Sequence, residues 1–144
     1  DVGSVRLTER HLHGDPPDPA ELGACRADIE RALAAAAPPP RGATLVGVAG
    51  TVTSLAAIAL AVDPYDAGRI HGATLEASVV DALATDLARR SVAERARLPG
   101  LAPKRADVIA AGALLASAVL GWADADRMTV SDRGVRWGVA RRLV

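Results

Sequence analysis

Thr44-Leu45-Val46-Gly47-Val48-Ala49-Gly50-Thr51-Val52-Thr53-Ser54 is the stretch whose reading decides the fold. Its first half, Thr44 to Ala49, is a short apolar run that predicts a strand buried on both faces. At Gly50 the strand gives way to hydroxyl residues, and the apolar segment Leu55 to Ala61 continues as a helix. A strand that runs through a glycine into a helix is the repeating unit of α/β architecture. The same turn carries the best local chemical signal. It sets backbone N–H groups and hydroxyls at the positive end of a helix dipole, where oxyanions bind well, and glycine lets a phosphate approach the backbone closely. A Thr or Ser at a helix start also serves simply as an N-cap. The turn is not a Walker A loop, because no Gly-Lys-Ser/Thr follows at the required spacing.

Upstream, Val5-Arg6-Leu7-Thr8-Glu9 alternates apolar and polar residues and predicts a strand within Ser4–Leu12, with Val5 and Leu7 on one face. Gly14-Asp15-Pro16-Pro17 is a turn. Asp18-Pro19-Ala20-Glu21 then opens a helix, with Asp as N-cap, Pro at the first position and Glu closing a capping box. Leu22, Cys25, Ile29 and Leu33 follow at helical spacing, and Pro38-Pro39-Pro40 stops the helix.

Downstream, Asp63 to Gly72 reads as irregular. A helix is expected over Leu75–Arg90, with Leu75, Val79, Leu83 and Leu87 on one side. Ser91-Val92-Ala93-Glu94 is a capping box for a short helix that Pro99-Gly100 breaks. A long helix is expected over 103–121, apolar nearly all round beyond Asp107 and therefore central and buried. Met128 to Ser131 predicts a last strand and Gly134 to Leu143 a closing helix. Strands alternating with helices imply crossover connections, with a sheet flanked by helices.

Composition narrows the functional classes. The chain has 144 residues, enough for one domain with a sizeable core. Half of them are apolar, yet there are only two Trp, one Tyr and no Phe, so the core is built from Ala, Leu, Val and Ile. Seventeen basic residues balance seventeen acidic ones, which argues against a general polyanion-binding surface and against nucleic acid as a partner. The single cysteine, Cys25, excludes an internal disulfide. His11, His13 and His71 do not make a metal-ligand pattern. No transmembrane run, signal peptide or lipidation motif is visible, so a cytoplasmic location is expected and no membrane partner. The only Met is Met128, so Asp1 is not a translation start, and the chain is expected to be a segment of a longer protein.

Two further places offer chemistry. Arg105, near the start of the long helix, can clamp a phosphate, while Asp107 suits the helix dipole and the two can equally pair with each other. Ser131 and Asp132 sit where the last strand turns toward a helix, and either can cap it.

Taken in order, Gly3-Ser4-Val5-Arg6-Leu7-Thr8-Glu9, Asp15-Pro16-Pro17, Gly50-Thr51-Val52-Thr53-Ser54-Leu55-Ala56, Tyr65-Asp66, Ile70-His71-Gly72, Glu94-Arg95, Leu98-Pro99-Gly100-Leu101, Arg105-Ala106-Asp107-Val108-Ile109-Ala110-Ala111-Gly112 and Val130-Ser131-Asp132 resemble the Ppx/GppA family of exopolyphosphatases and guanosine pentaphosphate phosphohydrolases. The resemblance covers essentially the whole chain. It implies a ribonuclease-H-like domain of the actin-like ATPase superfamily, the second of two domains that face each other across a cleft, with the domain's first strands missing from residues 1–144. It also implies cleavage of phosphoanhydride bonds in inorganic polyphosphate or guanosine pentaphosphate, with a divalent metal, usually Mg2+. Without its first strands the domain's sheet has an unpaired edge, so a homodimer is expected. Gly50, Thr51 and Thr53, with Ser54 beside them, match the family's second phosphate-binding loop. Arg105, Asp107 and Gly112 match a motif beside the cleft. Arg6 and Glu9 match a strand motif, and Ser131 is a further expected cleft residue. No metal ligand is assigned. The family's first glycine-rich phosphate loop has no match here, since Asp1-Val2-Gly3 lacks its consecutive glycines, and the catalytic glutamate is expected upstream. The isolated chain is therefore expected to be inactive. The rival expectation is a non-catalytic nucleotide-binding or dimerisation module of the same superfamily.

Overall fold

The computed structural model describes residues 2–40 and 42–142. Its elements are α1 (Ser4–His11), α2 (Pro19–Ala34), β1 (Val46–Val48), α3 (Ala49–Ala59), α4 (Ala67–Ile70), β2 (Thr74–Glu76), α5 (Ala77–Arg89), α6 (Val92–Arg95), a 3-10 turn (Pro103–Arg105), α7 (Ile109–Trp122), β3 (Arg127–Ser131) and α8 (Val135–Arg142). The sheet is small and mixed, ordered β1-β3-β2. β1 runs parallel to β3, with Val48 opposite Ser131, and β2 runs antiparallel to it, with Leu75 opposite Met128. Helices flank the sheet, so the α/β class expected from the sequence holds.

The core forms around α7. Ile109, Ala110, Ala111, Gly112, Ala113, Leu114, Ala116 and Leu120 of this helix are all buried. Its small side chains let neighbouring helices come close. At Gly112 a Cβ would lie 2.7 Å from Thr51 Cγ2, so α3 and α7 pack together only because that position is glycine. Among the described residues no helix is long and apolar enough to cross a membrane.

Several sequence readings are corrected. Ser4–Leu12 holds a helix, not a strand. Leu7 is fully buried while Val5 is half exposed, so the two do not share a face. Five alternating residues are too few to separate the two periods, and tertiary packing against α7 and α2 decides the outcome. β1 is not buried on both faces: Val46 and Val48 are 52% and 47% exposed, because β1 is an edge strand paired only with β3. Leu75 belongs to β2, where it points inward between exposed Thr74 and Glu76. The helix after it is consequently phased on Val80, Ala84, Leu87 and Ala88, leaving Val79 exposed. The segment taken as irregular contains α4, which Asp66 caps by accepting the Gly68 N–H at 2.8 Å. The expected long helix breaks into the 3-10 turn and α7. Leu143, the expected end of the closing helix, lies outside the described residues.

Both expected capping boxes form. Asp18 and Glu21 form the capping box of α2, and Ser91 and Glu94 that of α6. Asp28 of α2 ties that helix to α1 through His11 (2.9 Å) and Arg10 (3.2 Å) and also meets Arg31. His11 foremost, then the arginines, hold the Asp28 carboxyl at about 2, below its usual 3.8. The stability this carboxylate contributes is therefore complete above about pH 4 and lost as pH falls through 2. Asp28→Asn is expected to melt lower at neutral pH and to flatten the acid limb of stability between those limits, as thermal melts at stepped pH would read.

Candidate functional site

β1 and β3 are parallel, so their carboxyl ends open on one edge, where ligands of open α/β sheets gather. There the turn into α3, the 63–65 and 100–105 segments and Asp132 surround a cavity of about 500 Å³. Ala49 begins the turn at φ 69, in the left-handed region that L residues enter at a cost of about 1–2 kcal/mol. No side chain caps the α3 N-terminus, so its first backbone donors are left without a side-chain acceptor.

Arg105 gives this turn its electrostatic character. Its guanidinium lies directly over the Cα of Gly50, so close that a Cβ at position 50 would overlap Arg105 Nη1, Cζ and Nη2. The side chain is half-buried and lines the cavity. No carboxylate lies within ion-pair distance of it among the described residues. A half-buried cation beside uncapped amides is a setting in which oxyanions bind. Across the cavity, Tyr65 Oη donates to Asp132 Oδ1 at 2.5 Å. Burial, and then the Asp132 carboxylate, raise the Tyr65 pKa, with Thr53 and Arg105 pulling weakly the other way. Tyr65 therefore remains a donor at neutral pH.

The residues expected in the site divide into three groups. Gly50, Thr53, Ser54 and Arg105 line this cavity. Thr53 Oγ1 directs its proton to the carbonyls of Ala49 and Gly50, both at 3.3 Å. Thr51 and Gly112 face the other side of α3, in an apolar groove shared with β1, so the Thr51 side chain is a packing group while its backbone belongs to the turn. Asp107 lies in a separate hollow with Asp15 and Arg95, and its carboxylate accepts the N–H of Val108. Arg6 and Glu9 stand exposed on α1 and do not line the cavity. Ser131 exchanges hydrogen bonds with the Arg133 backbone and shapes the turn that presents Asp132. Reading the sequence assigned no role to Tyr65 or Asp63 and took Asp132 only as a cap. The usable signal for Asp132 was its place one residue beyond the parallel strand β3.

The described residues contain no group of three or more His, Cys, Asp or Glu able to hold a metal. Asp63 and Asp132 on the cavity wall suit at most a Mg2+ that arrives on phosphate oxygens and keeps several waters.

Comparisons with known proteins identify the family. The model of the Ppx/GppA phosphatase family matches residues 1–144. Exopolyphosphatase 2 of Mycobacterium tuberculosis is 37% identical over 150 residues, covering 99% of this chain and 47% of that protein. The crystal structure of the Aquifex aeolicus Ppx/GppA family member superposes with a TM-score of 0.90 at 32% identity, covering 99% of this chain and 46% of the other. An exopolyphosphatase from Cytophaga hutchinsonii shares the fold, with a TM-score of 0.78 at 21% identity over 99% of this chain and 47% of its own. The chain thus spans about half the length of these relatives and has the actin-like fold of their family. By its sequence and its fold, this chain belongs to the Ppx/GppA phosphatase family.

Proposed function

We propose that the chain is the C-terminal actin-like domain of a phosphoanhydride hydrolase, and that it forms one wall of a cleft releasing terminal phosphate from inorganic polyphosphate or guanosine pentaphosphate. The observation that carries this reading is the Arg105 guanidinium seated on Gly50, without a carboxylate partner among the described residues, at the uncapped start of α3. Phosphoryl transfer is achieved largely by positioning and charge stabilisation. On this reading Arg105 and the Gly50–Thr51 amides hold phosphate oxygens, and the water-activating carboxylate and the opposing loop come from the rest of the protein. Mg2+ would neutralise charge on the phosphate oxygens, with Asp63 and Asp132 the carboxylates on the cavity wall.

Titration calorimetry with sodium tripolyphosphate tests the wall. Arg105→Gln is expected to weaken binding at least about tenfold, the value of a charge-assisted hydrogen bond. Equal affinity in both proteins would overturn the assignment. The chain alone is expected to release no phosphate from polyphosphate, and turnover by the pure chain would show that it needs no second half.

One observation favours self-association as well. β1 pairs on one side only and leaves Val46 and Val48 about half exposed, and an unpaired edge of this kind recruits another strand. Sedimentation at increasing concentration is expected to show dimers, and a monomer throughout would remove this second reading.

A further inference from the structure

The cavity contains its own competitor for phosphate. Asp132 and Arg105 line the same space of about 500 Å³, and a carboxylate free to swing would neutralise the guanidinium. Asp132 does not do so here. Its Oδ1 instead accepts the hydroxyl proton of Tyr65 at 2.5 Å, a contact between residues 67 apart in sequence. Tyr65 is also near enough to feel the charge of Arg105, so the three groups form one neighbourhood. Asp132 and the remaining carboxylate of the cavity, Asp63, are both exposed.

We infer that Tyr65 is a positioning residue that holds Asp132 away from Arg105 and so keeps the guanidinium available to an incoming polyphosphate. This rests on the phosphate-binding reading above. A Tyr suits the task because it lines the cavity from the 63–65 segment while its one hydroxyl proton is committed to the carboxylate. Burial and the Asp132 charge both keep that proton on the oxygen at neutral pH.

The test is tripolyphosphate affinity of the full chain in metal-free buffer, measured for the wild type, Tyr65→Phe and Tyr65→Phe/Asp132→Asn. Tyr65→Phe keeps the ring and removes the tether. It is expected to weaken binding about three- to fivefold, the strength of a solvent-accessible ion pair newly formed between Asp132 and Arg105. The double variant has no carboxylate to collapse and is expected to recover wild-type affinity or exceed it. A purely structural role for Tyr65 gives no such rescue. Wild-type binding by Tyr65→Phe, or a double variant as weak as the single one, overturns the inference and leaves the phosphate site standing. Absence of tripolyphosphate binding by the wild type overturns both.

Discussion

Gly50→Ala is expected to lose phosphate affinity while keeping stability. The new methyl group would occupy the volume of the Arg105 guanidinium, and that guanidinium is the far end of a flexible side chain, so it moves aside at little energetic expense. Alanine also favours a helix over glycine by up to about 1 kcal/mol, which offsets residual crowding. Displacing Arg105, by contrast, removes the charge-assisted hydrogen bonds it would give an oxyanion. These contribute about 1.5–3 kcal/mol, or roughly ten- to a hundredfold in affinity. The two readouts should therefore separate: an unchanged or higher melting temperature, and a tripolyphosphate affinity reduced at least tenfold. A variant that melts much lower would mean Gly50 is needed for packing alone.

The second large effect concerns stability, not binding. Arg95→Met is expected to destabilise the chain by about 2–4 kcal/mol. Arg95 is 2% exposed and is the largest fully buried side chain among the described residues. Its guanidinium donates to the carbonyls of Arg90 (3.0 Å), Ala106 (2.8 Å) and Asp107 (3.3 Å), with Asp15 at 3.8 Å. It thereby pins α6, the turn before α7 and the loop after α1 around one cation. Burial pulls its pKa below the ordinary arginine value, while Asp15 and Asp107 counter this. Methionine fills most of the volume and leaves the carbonyls of Ala106 and Asp107 short of donors. Arg95→Lys is expected to recover only part of the loss, because an ammonium cannot reproduce the planar fork. Chemical denaturation reads both variants, and a loss below about 0.5 kcal/mol for Arg95→Met, the range of ordinary surface changes, would contradict this role.

These residues also show where sequence reading succeeds. The boxes at Asp18 and Ser91, the Gly50 turn and the buried α7 were legible because each is specified within a few residues. β2 was hidden because a strand of three residues merges with the periodicity of the helix behind it. α1 was mistaken for a strand because Val5 and Leu7 alternate over too short a span. Arg95 carried no sign of burial in the sequence, since its acceptors are backbone carbonyls on separate segments. The Tyr65–Asp132 pair joins the loop after α3 to the end of β3, 67 residues on in sequence, and only the folded chain brings them together. Gly50 and Arg105 were each singled out, but their contact, which makes them a site, exists only in three dimensions.

The most direct measurement of the central claim is a backbone amide NMR titration of the chain with tripolyphosphate, following Gly50, Thr51 and the Arg105 Nε–H. The expected result is saturable shifts at these groups that share one affinity, with those of Gly50 and Thr51 saturating only at least tenfold higher ligand in Arg105→Gln. Shifts confined to other surfaces, with the α3 turn silent at saturating ligand, would contradict it.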